Sequence, residues 1–162
     1  MSESVKISAA IVTASDSRTV DDDVSGNRLR SILGASGAEI VHHSVVSDDL
    51  DAIRNELLAL TQRQDINLIL TTGGTGLGPR DNTPEATLAI IEREVPGIAE
   101  AMRRETAAQT PFAILSRGVA GTRNGTLIIN LPGSPKGVEE CFAVIAPLLD
   151  HAVRMVSGDT KH

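Results

Sequence analysis

Short apolar runs alternate along the chain with longer stretches in which apolar residues recur every three or four positions. Residues 5–14, VKISAAIVTA, read as a first strand buried on both faces. Residues 38–46, AEIVHHSVV, read as a second, Ile66 to Leu70 as a third and Thr126 to Leu131 as another fully apolar strand. Residues 112–118 predict a short element and Val119 to Gly121 a further strand, with Arg123-Asn124-Gly125 as a tight turn. Helical stripes separate these runs. One helix starts near Ser25, points Leu29, Ile32 and Leu33 inward and ends near Gly34 or Gly37. A second carries Leu50, Ile53, Leu57 and Leu60. A third bears Leu88, Ile91 and Val95, and a fourth, begun by Pro96, turns Ile98 and Met102 inward. The last carries Val138, Cys141, Phe142, Ile145, Leu149, Ala152 and Val156, and Pro147 should kink or split it. Strands alternating with helices imply an α/β fold: a three-layer sandwich with a mostly parallel central sheet and helices on both faces.

The most informative stretch is LILTTGGTGLGPRDNTPEAT, Leu68 to Thr87. Its apolar run breaks into Gly73, Gly74, Gly76 and Gly78. It ends at a helix start, with Thr83 as N-cap, Pro84 at the first helical position and Glu85 in the first turn. A strand, a loop of exposed backbone and a helix N-terminus together hold anions, because free N–H groups and the helix dipole favour negative charge. Asp81 sits inside this anion site, where its carboxylate repels a phosphate unless a cation lies between them. That tension points to a metal–phosphate complex. Neither the P-loop pattern nor the dinucleotide fingerprint is present.

Two other apolar strands discharge into small polar loops, Thr13-Ala14-Ser15-Asp16-Ser17 and Asn130-Leu131-Pro132-Gly133-Ser134, the latter followed by a helix with Ser134 as N-cap and Pro135 first. In a parallel sheet these loops and the Asp48 turn share one edge, so they are expected to meet in one cleft. Asp48 by itself reads as a helix cap or part of an acidic first turn. The run Asp21-Asp22-Asp23 reads as a solvated loop rather than a divalent-ion site. His42 and His43 point to opposite faces of a strand and read as ordinary strand histidines. No Ser-His-Asp order and no supported Cys–His pair is present. Carboxylates, hydroxyls, backbone N–H groups and Arg18, Arg80 and Lys136 suit phosphoryl or nucleotidyl transfer, where positioning and charge neutralisation dominate.

Composition narrows the partners. The 162 residues fit one domain, 1–162, and the formal net charge is −6 with no basic run longer than Arg103-Arg104, which argues against a nucleic-acid surface. No apolar run approaches the ~20 residues of a membrane span, and the N-terminal MSESVK has no apolar segment of a leader, so a cytoplasmic protein is expected. Cys141 stands alone, which excludes an internal disulfide. Phe112 and Phe142 are the only aromatic residues, so a planar ligand is expected to be gripped by backbone and aliphatic contacts rather than by stacking.

TTGGTGLGPRDNTPEAT, followed by Pro96-Gly97, AILSR at Ala113 to Arg117 and LIINLPGSPKG at Leu127 to Gly137, closely resembles the MoaB/Mog family of molybdenum cofactor biosynthesis, to which the G domain of gephyrin also belongs. The resemblance covers essentially the whole chain, in the short form without an appended E-type domain. It implies a homotrimer and molybdopterin adenylyltransferase activity, with molybdopterin and Mg-ATP as substrates and a separate protein inserting molybdate afterwards. The family's two critical aspartates match Asp48 and Asp81, assigned to Mg²⁺ and substrate positioning. Gly73, Gly74, Thr75 and Gly76 would cradle the pterin side chain and its phosphate. Ser15 and Asp16 would line the nucleotide end, Pro132, Gly133 and Ser134 the opposite wall, and Lys136 or Arg80 would face pyrophosphate. Asn82 stands where many members have a β-branched residue. The alternatives are a non-catalytic pterin-binding scaffold and a hydrolase like the competence-damage proteins.

Overall fold

The computed structural model describes residues 5–159; residues 1–4, on which the expectation about a leader rests, and residues 160–162 lie outside the described residues. Strands β1 (Ser8–Ala14), β2 (Glu39–Val46), β3 (Leu68–Thr72), β4 (Arg93–Glu94), β5 (Ala120–Arg123) and β6 (Thr126–Leu131) form one sheet in the order β2-β1-β3-β6-β5-β4. The first four in that order are mutually parallel, and β5 runs antiparallel to both β6 and β4. The mostly parallel α/β sandwich read from the hydrophobic pattern is therefore the observed architecture.

The period of two along each strand divides the core. On one face Ala9, Ile11, Leu68, Leu70, Leu127 and Ile129 pack against α1 (Val24–Ala35), α4 (Pro96–Thr106) and α5 (Pro135–Val156). On the other, Ala10, Val12, Ile69 and Ile128 pack against α2 (Leu50–Thr61) and α3 (Thr83–Leu88). Helices after β1 and β3 thus leave for opposite faces although the two strands are neighbours. This is a topological switch point, and it opens a crevice at the carboxyl ends of β1 and β3.

Several local expectations change. The central strand begins at Leu68 rather than Ile66 and continues through Thr71 and Thr72, because both hydroxyls find partners inside: Thr72 Oγ1 donates to Pro132 O at 2.7 Å and Thr71 Oγ1 accepts from Asn130 Nδ2 at 3.0 Å. The helix after the glycines ends at Leu88, which is exposed. Its inward face is Thr83, Ala86 and Thr87, continued by Ile90; Leu88 faces out, while Ile91 and Val95 pack half-buried against the core but lie beyond the helix. Pro147 does not split α5. It lies on the exposed side, where the carbonyl deprived of its N–H can meet water. Asn124 and Gly125, both at positive φ (49° and 76°), make the tight turn between β5 and β6.

The aspartate run also differs from its solvated reading. Asp23 is fully buried and caps α1, accepting from Gly26 N at 3.0 Å, while its other oxygen meets Thr13 Oγ1 at 2.5 Å and His43 Nε2 at 2.9 Å. Asp22 instead folds the loop locally, accepting from the Thr19 N–H. His42 pairs with Glu56 on the opposite face, as the alternation of strand side chains requires.

Candidate active site

The loops after β1, β2 and β3 converge at the switch point. The turn after β1 carries Asp16, and the turn after β2 carries Asp48. These two cross-brace each other: Asp16 N donates to Asp48 Oδ2 at 2.9 Å, and Asp48 N donates to Asp16 Oδ1 at 3.0 Å. Asp48 is therefore no helix cap. Asp49 fills that role, accepting from Ala52 N at 3.1 Å. Two adjacent aspartates compete for the cap, and the Asp16 amide decides the contest by taking Asp48.

The loop after β3 supplies the third carboxylate. Asp81 Oδ2 accepts from Gly78 N at 2.8 Å, and Asp81 N returns a bond to Gly78 O at 3.1 Å. The backbone at Gly76 and Gly78 wraps closely round that carboxylate, since a Cβ at either would lie 2.9 Å from Asp81 Oδ2. Arg80 bridges to the first loop, donating Nε and Nη2 to the Asp16 carboxylate at 3.1 and 2.9 Å. Asn82 Nδ2 donates to Asp48 O at 2.9 Å and ties the second loop to the third. Asp16, Asp48, Arg80 and Asp81 thus occupy one rim, which the charge interactions among them also reflect.

Thr83 is not the N-cap. Asn82 takes that position, and Thr83 Oγ1 donates to Gly73 O at 2.9 Å while Thr83 N donates to Gly74 O at 3.1 Å. The helix start is thereby strapped onto the glycine turn. Gly73 and Gly74 are both left-handed, at φ 89° and 68°. Any side chain at Gly73 would place its Cβ 2.6 Å from Ala14 O at the end of β1. Gly73→Ala should therefore cost about 1–3 kcal/mol through strain in that backbone region, with the clash adding to it, and chemical denaturation measures the loss.

The opposite wall is the loop after β6. Pro132 O takes the Thr72 hydroxyl, and Gly133 packs on Gly73, a Cβ there lying 3.3 Å from Gly73 Cα. Ser134 caps α5 by accepting from Gly137 N at 3.0 Å, as its sequence context predicts. Ser15 shapes its own turn, its hydroxyl accepting from Ser17 N and Arg18 N at 3.3 and 3.2 Å. Lys136 points along α5 to Glu140, 3.9 Å away, and makes no contact with the carboxylate rim among the described residues.

Arg117 is the residue that pattern reading missed. It closes the AILSR block, two residues past the end of the 3₁₀ turn Pro111–Leu115. Its N–H donates to Thr75 O at 2.8 Å, its Nε to Gly76 O at 2.7 Å and its Nη2 to Asp81 O at 2.8 Å, while Nη1 pairs with Glu85. One residue therefore ties Thr75, Gly76 and Asp81 of the glycine loop to Glu85 of the helix that follows it.

The electrostatics follow from this geometry. Burial pushes the Asp48 carboxyl above its ordinary range; the Asp16 N–H pulls it back, and the Asp16 and Asp81 charges push it further up. The Arg80 guanidinium, aided by the Asp48 N–H, holds Asp16 below the ordinary range. Burial raises the Cys141 thiol to about 11, so it is an inert wall.

The donor set fits a hard cation. Asp48 Oδ1 and Asp81 Oδ1 accept no hydrogen bond among the described residues, since each aspartate commits only its other oxygen to a backbone N–H. Two carboxylate oxygens cannot complete an octahedral shell, and no cluster of three or more ligating side chains exists among the described residues. The rest of such a shell comes from ligand oxygens and water, as for magnesium nucleotides.

Residues 10–151 match the family described as a probable molybdopterin binding domain. The molybdopterin adenylyltransferase of Helicobacter pylori strain J99 is 38% identical over 157 residues, covering 94% of this chain and 89% of that protein. The molybdenum cofactor synthesis protein cinnamon of Drosophila melanogaster is 43% identical over 158 residues, where the chain spans only 26% of the relative's length. The solved structure of the molybdopterin biosynthesis enzyme MoaB from Thermus thermophilus superposes with a TM-score of 0.86 at 44% identity, covering 94% of this chain and 97% of that one. Matched along this length, in sequence and in fold, the chain belongs to the MoaB/Mog family of molybdopterin-binding domains.

Proposed function

We propose that this chain is a molybdopterin adenylyltransferase. The terminal phosphate oxygen of molybdopterin attacks the α-phosphorus of ATP, the bond from that phosphorus to the β-phosphate oxygen breaks, and pyrophosphate leaves with adenylylated molybdopterin as product. The observation that carries the reading is the meeting of Asp48, Asp81 and the Asp16–Arg80 pair with the Gly73–Gly76 turn at the carboxyl ends of β1 and β3. A bound Mg²⁺ would neutralise phosphate charge there, with Asp48 and Asp81 as its holders. The glycine backbone presents N–H groups to the attacking phosphate of molybdopterin, and Arg80 is the cation nearest the aspartates. Asp16 acts through others, fixing Asp48 and Arg80.

Incubation with molybdopterin and Mg-ATP should release one pyrophosphate per adenylylated product. Pyrophosphate release without pterin would assign a hydrolase instead. Pterin binding with no affinity for a non-hydrolysable ATP analogue would assign a binding protein. The family resemblance implies a homotrimer, which light scattering measures. No helix among the described residues is long and apolar enough to cross a membrane. We place the enzyme in the cytoplasm, passing its product to a molybdate-inserting protein.

The pH dependence follows from the raised Asp48 and the lowered Asp16. Asp48 holds a cation only when ionised, so activity falls on the acid side at a pH above 3.8, the ordinary value for its carboxyl. Raising Mg²⁺ moves that limb down, because cation and proton compete for the same oxygens. Arg80→Met removes the main cause of the low Asp16 value and one of the influences lowering Asp48, so the limb moves to higher pH. Asp16 lends stability that is present above 3.8 and is lost as pH falls through its lowered folded value. Arg80→Met narrows that stabilised window. Kinetic and unfolding pH profiles of the two proteins check both shifts.

A further inference from the structure

The loop that carries Asp16 leaves the end of β1 and is exposed from Asp16 to Asp22. Its interior bonds are local: the Ser15 hydroxyl accepts from Ser17 N and Arg18 N, and Asp22 accepts from Thr19 N. An exposed loop of this kind keeps a carboxylate in place only when both of its ends are fixed. The first end is fixed by backbone, Ser15 N donating to Val46 O at 2.9 Å. The second end is Asp23, and side chains fix it.

The side chains of Asp23 and His43 are 0% and 2% exposed. One Asp23 oxygen accepts from Gly26 N at 3.0 Å, in the first turn of α1. The other accepts from Thr13 Oγ1 at 2.5 Å and from His43 Nε2 at 2.9 Å. The Thr13 bond spans ten residues, from the penultimate position of β1 to the end of the loop, so it closes the loop that displays Asp16. The His43 bond ties that closure to β2, whose following turn carries Asp48. Gly26 leaves the necessary room, since a Cβ there would lie 1.9 Å from Asp23 Oδ2 and 2.7 Å from His43 Nε2. One buried junction therefore joins α1 to the two strands whose loops meet in the Asp16–Asp48 brace.

Stability alone would not select this junction. His43 Nδ1 is buried and meets no hydrogen-bond partner among the described residues, which carries a desolvation penalty. Buried polar pairs are often replaceable by well-packed apolar side chains without loss of stability. What apolar side chains do not supply is a directional bond that fixes Thr13 and the loop end relative to β2.

We infer that Asp23 and His43 are positioning residues for the carboxylate rim. Their buried bond holds closed the loop that presents Asp16. Through the Asp16–Asp48 brace and the Asp16–Arg80 pair it sets the metal and nucleotide end of the site. The kinetic consequence rests on the functional reading above; the mechanical one does not.

The test has two arms, both on the full chain. His43→Leu removes the donor to Asp23, whereas His43→Gln keeps a donor at similar reach. Thr13→Val opens the closure and leaves the His43–Asp23 bond in place. The amides of Asp16 and Asp48 donate to each other's carboxylates. In His43→Leu and Thr13→Val they should exchange with deuterium roughly tenfold faster or more. The Gly78 amide, bonded to Asp81 in the third loop, should keep its wild-type rate. In the kinetic arm KM for Mg-ATP should rise and kcat fall, lowering kcat/KM about tenfold, with molybdopterin affinity kept within about twofold. His43→Gln should recover most of both effects. Thermal melts establish that each variant is folded at the assay temperature, and if His43→Leu does not fold, Thr13→Val decides.

A junction that serves stability alone lowers the melting temperature and leaves the Asp16 and Asp48 amides at their wild-type rates; that result overturns the inference. Equal losses in His43→Gln and His43→Leu overturn it too. If the wild-type chain releases pyrophosphate and the amide rates do not move, only this inference falls. If the wild-type chain releases none, the adenylyltransferase reading falls, and the exchange of the two amides still decides whether Asp23 and His43 hold the loop.

Discussion

Asp81→Asn should lower turnover with molybdopterin and Mg-ATP by roughly a hundredfold or more while changing pterin affinity only slightly, the size expected when one charge-stabilising contact is lost. The geometry makes this a clean substitution. Asp81 Oδ2 accepts from Gly78 N, and an asparagine oxygen in the same place keeps that bond and the turn around it. The charge on the free Oδ1 is what disappears. Interactions that matter most as charge moves toward the leaving pyrophosphate affect kcat more than ground-state binding. The apparent Mg²⁺ requirement should rise in parallel. Equal losses in turnover and pterin binding would make Asp81 a loop-shaping residue only.

The same loop shows which kinds of signal a sequence carries. Strand β6 and the Ser134–Pro135 helix start were readable to the residue because their causes are local: an unbroken apolar run, a hydroxyl able to cap and a proline where no N–H is needed. The Asn124-Gly125 turn was readable for the same reason. Thr83 and Asp48 each carry a valid local capping signal, yet both were drawn away by partners from other loops, Gly73 O for one and Asp16 N for the other. Asp23 belonged to a run that looks solvated, and its burial depends on His43 arriving from the next strand. The convergence of the loops could be argued from parallel strands. The bonds that lock them together could not, because they join residues 32 to 64 positions apart.

Arg117 is the extreme case, and replacing it should be the most damaging change outside the carboxylates. Its guanidinium bonds Gly76 O and Asp81 O, 41 and 36 residues away in the chain, and pairs with Glu85, whose carboxyl it holds below the ordinary range. Arg117→Lys keeps the positive charge but cannot reach both carbonyls and Glu85 from one ammonium. Freed of these bonds, the loop loses the alignment of its N–H groups and of Asp81 together. The expected result is a fall in kcat/KM of roughly a hundredfold, the scale of small misplacements in a positioned site, with KM for molybdopterin rising as kcat drops. Two freed carbonyls at a partly exposed site should cost about 1–3 kcal/mol of stability. That is too little to unfold a domain of ordinary stability at 25 °C, so the kinetic loss should persist well below the melting temperature. Guanidinium added at millimolar concentration should restore part of the activity of Arg117→Ala, because the vacated space faces two carbonyls and a carboxylate. Recovery of full activity on cooling alone would show that Arg117 serves stability and nothing more. A normal KM in the variants would mean that the glycine turn keeps its shape without Arg117.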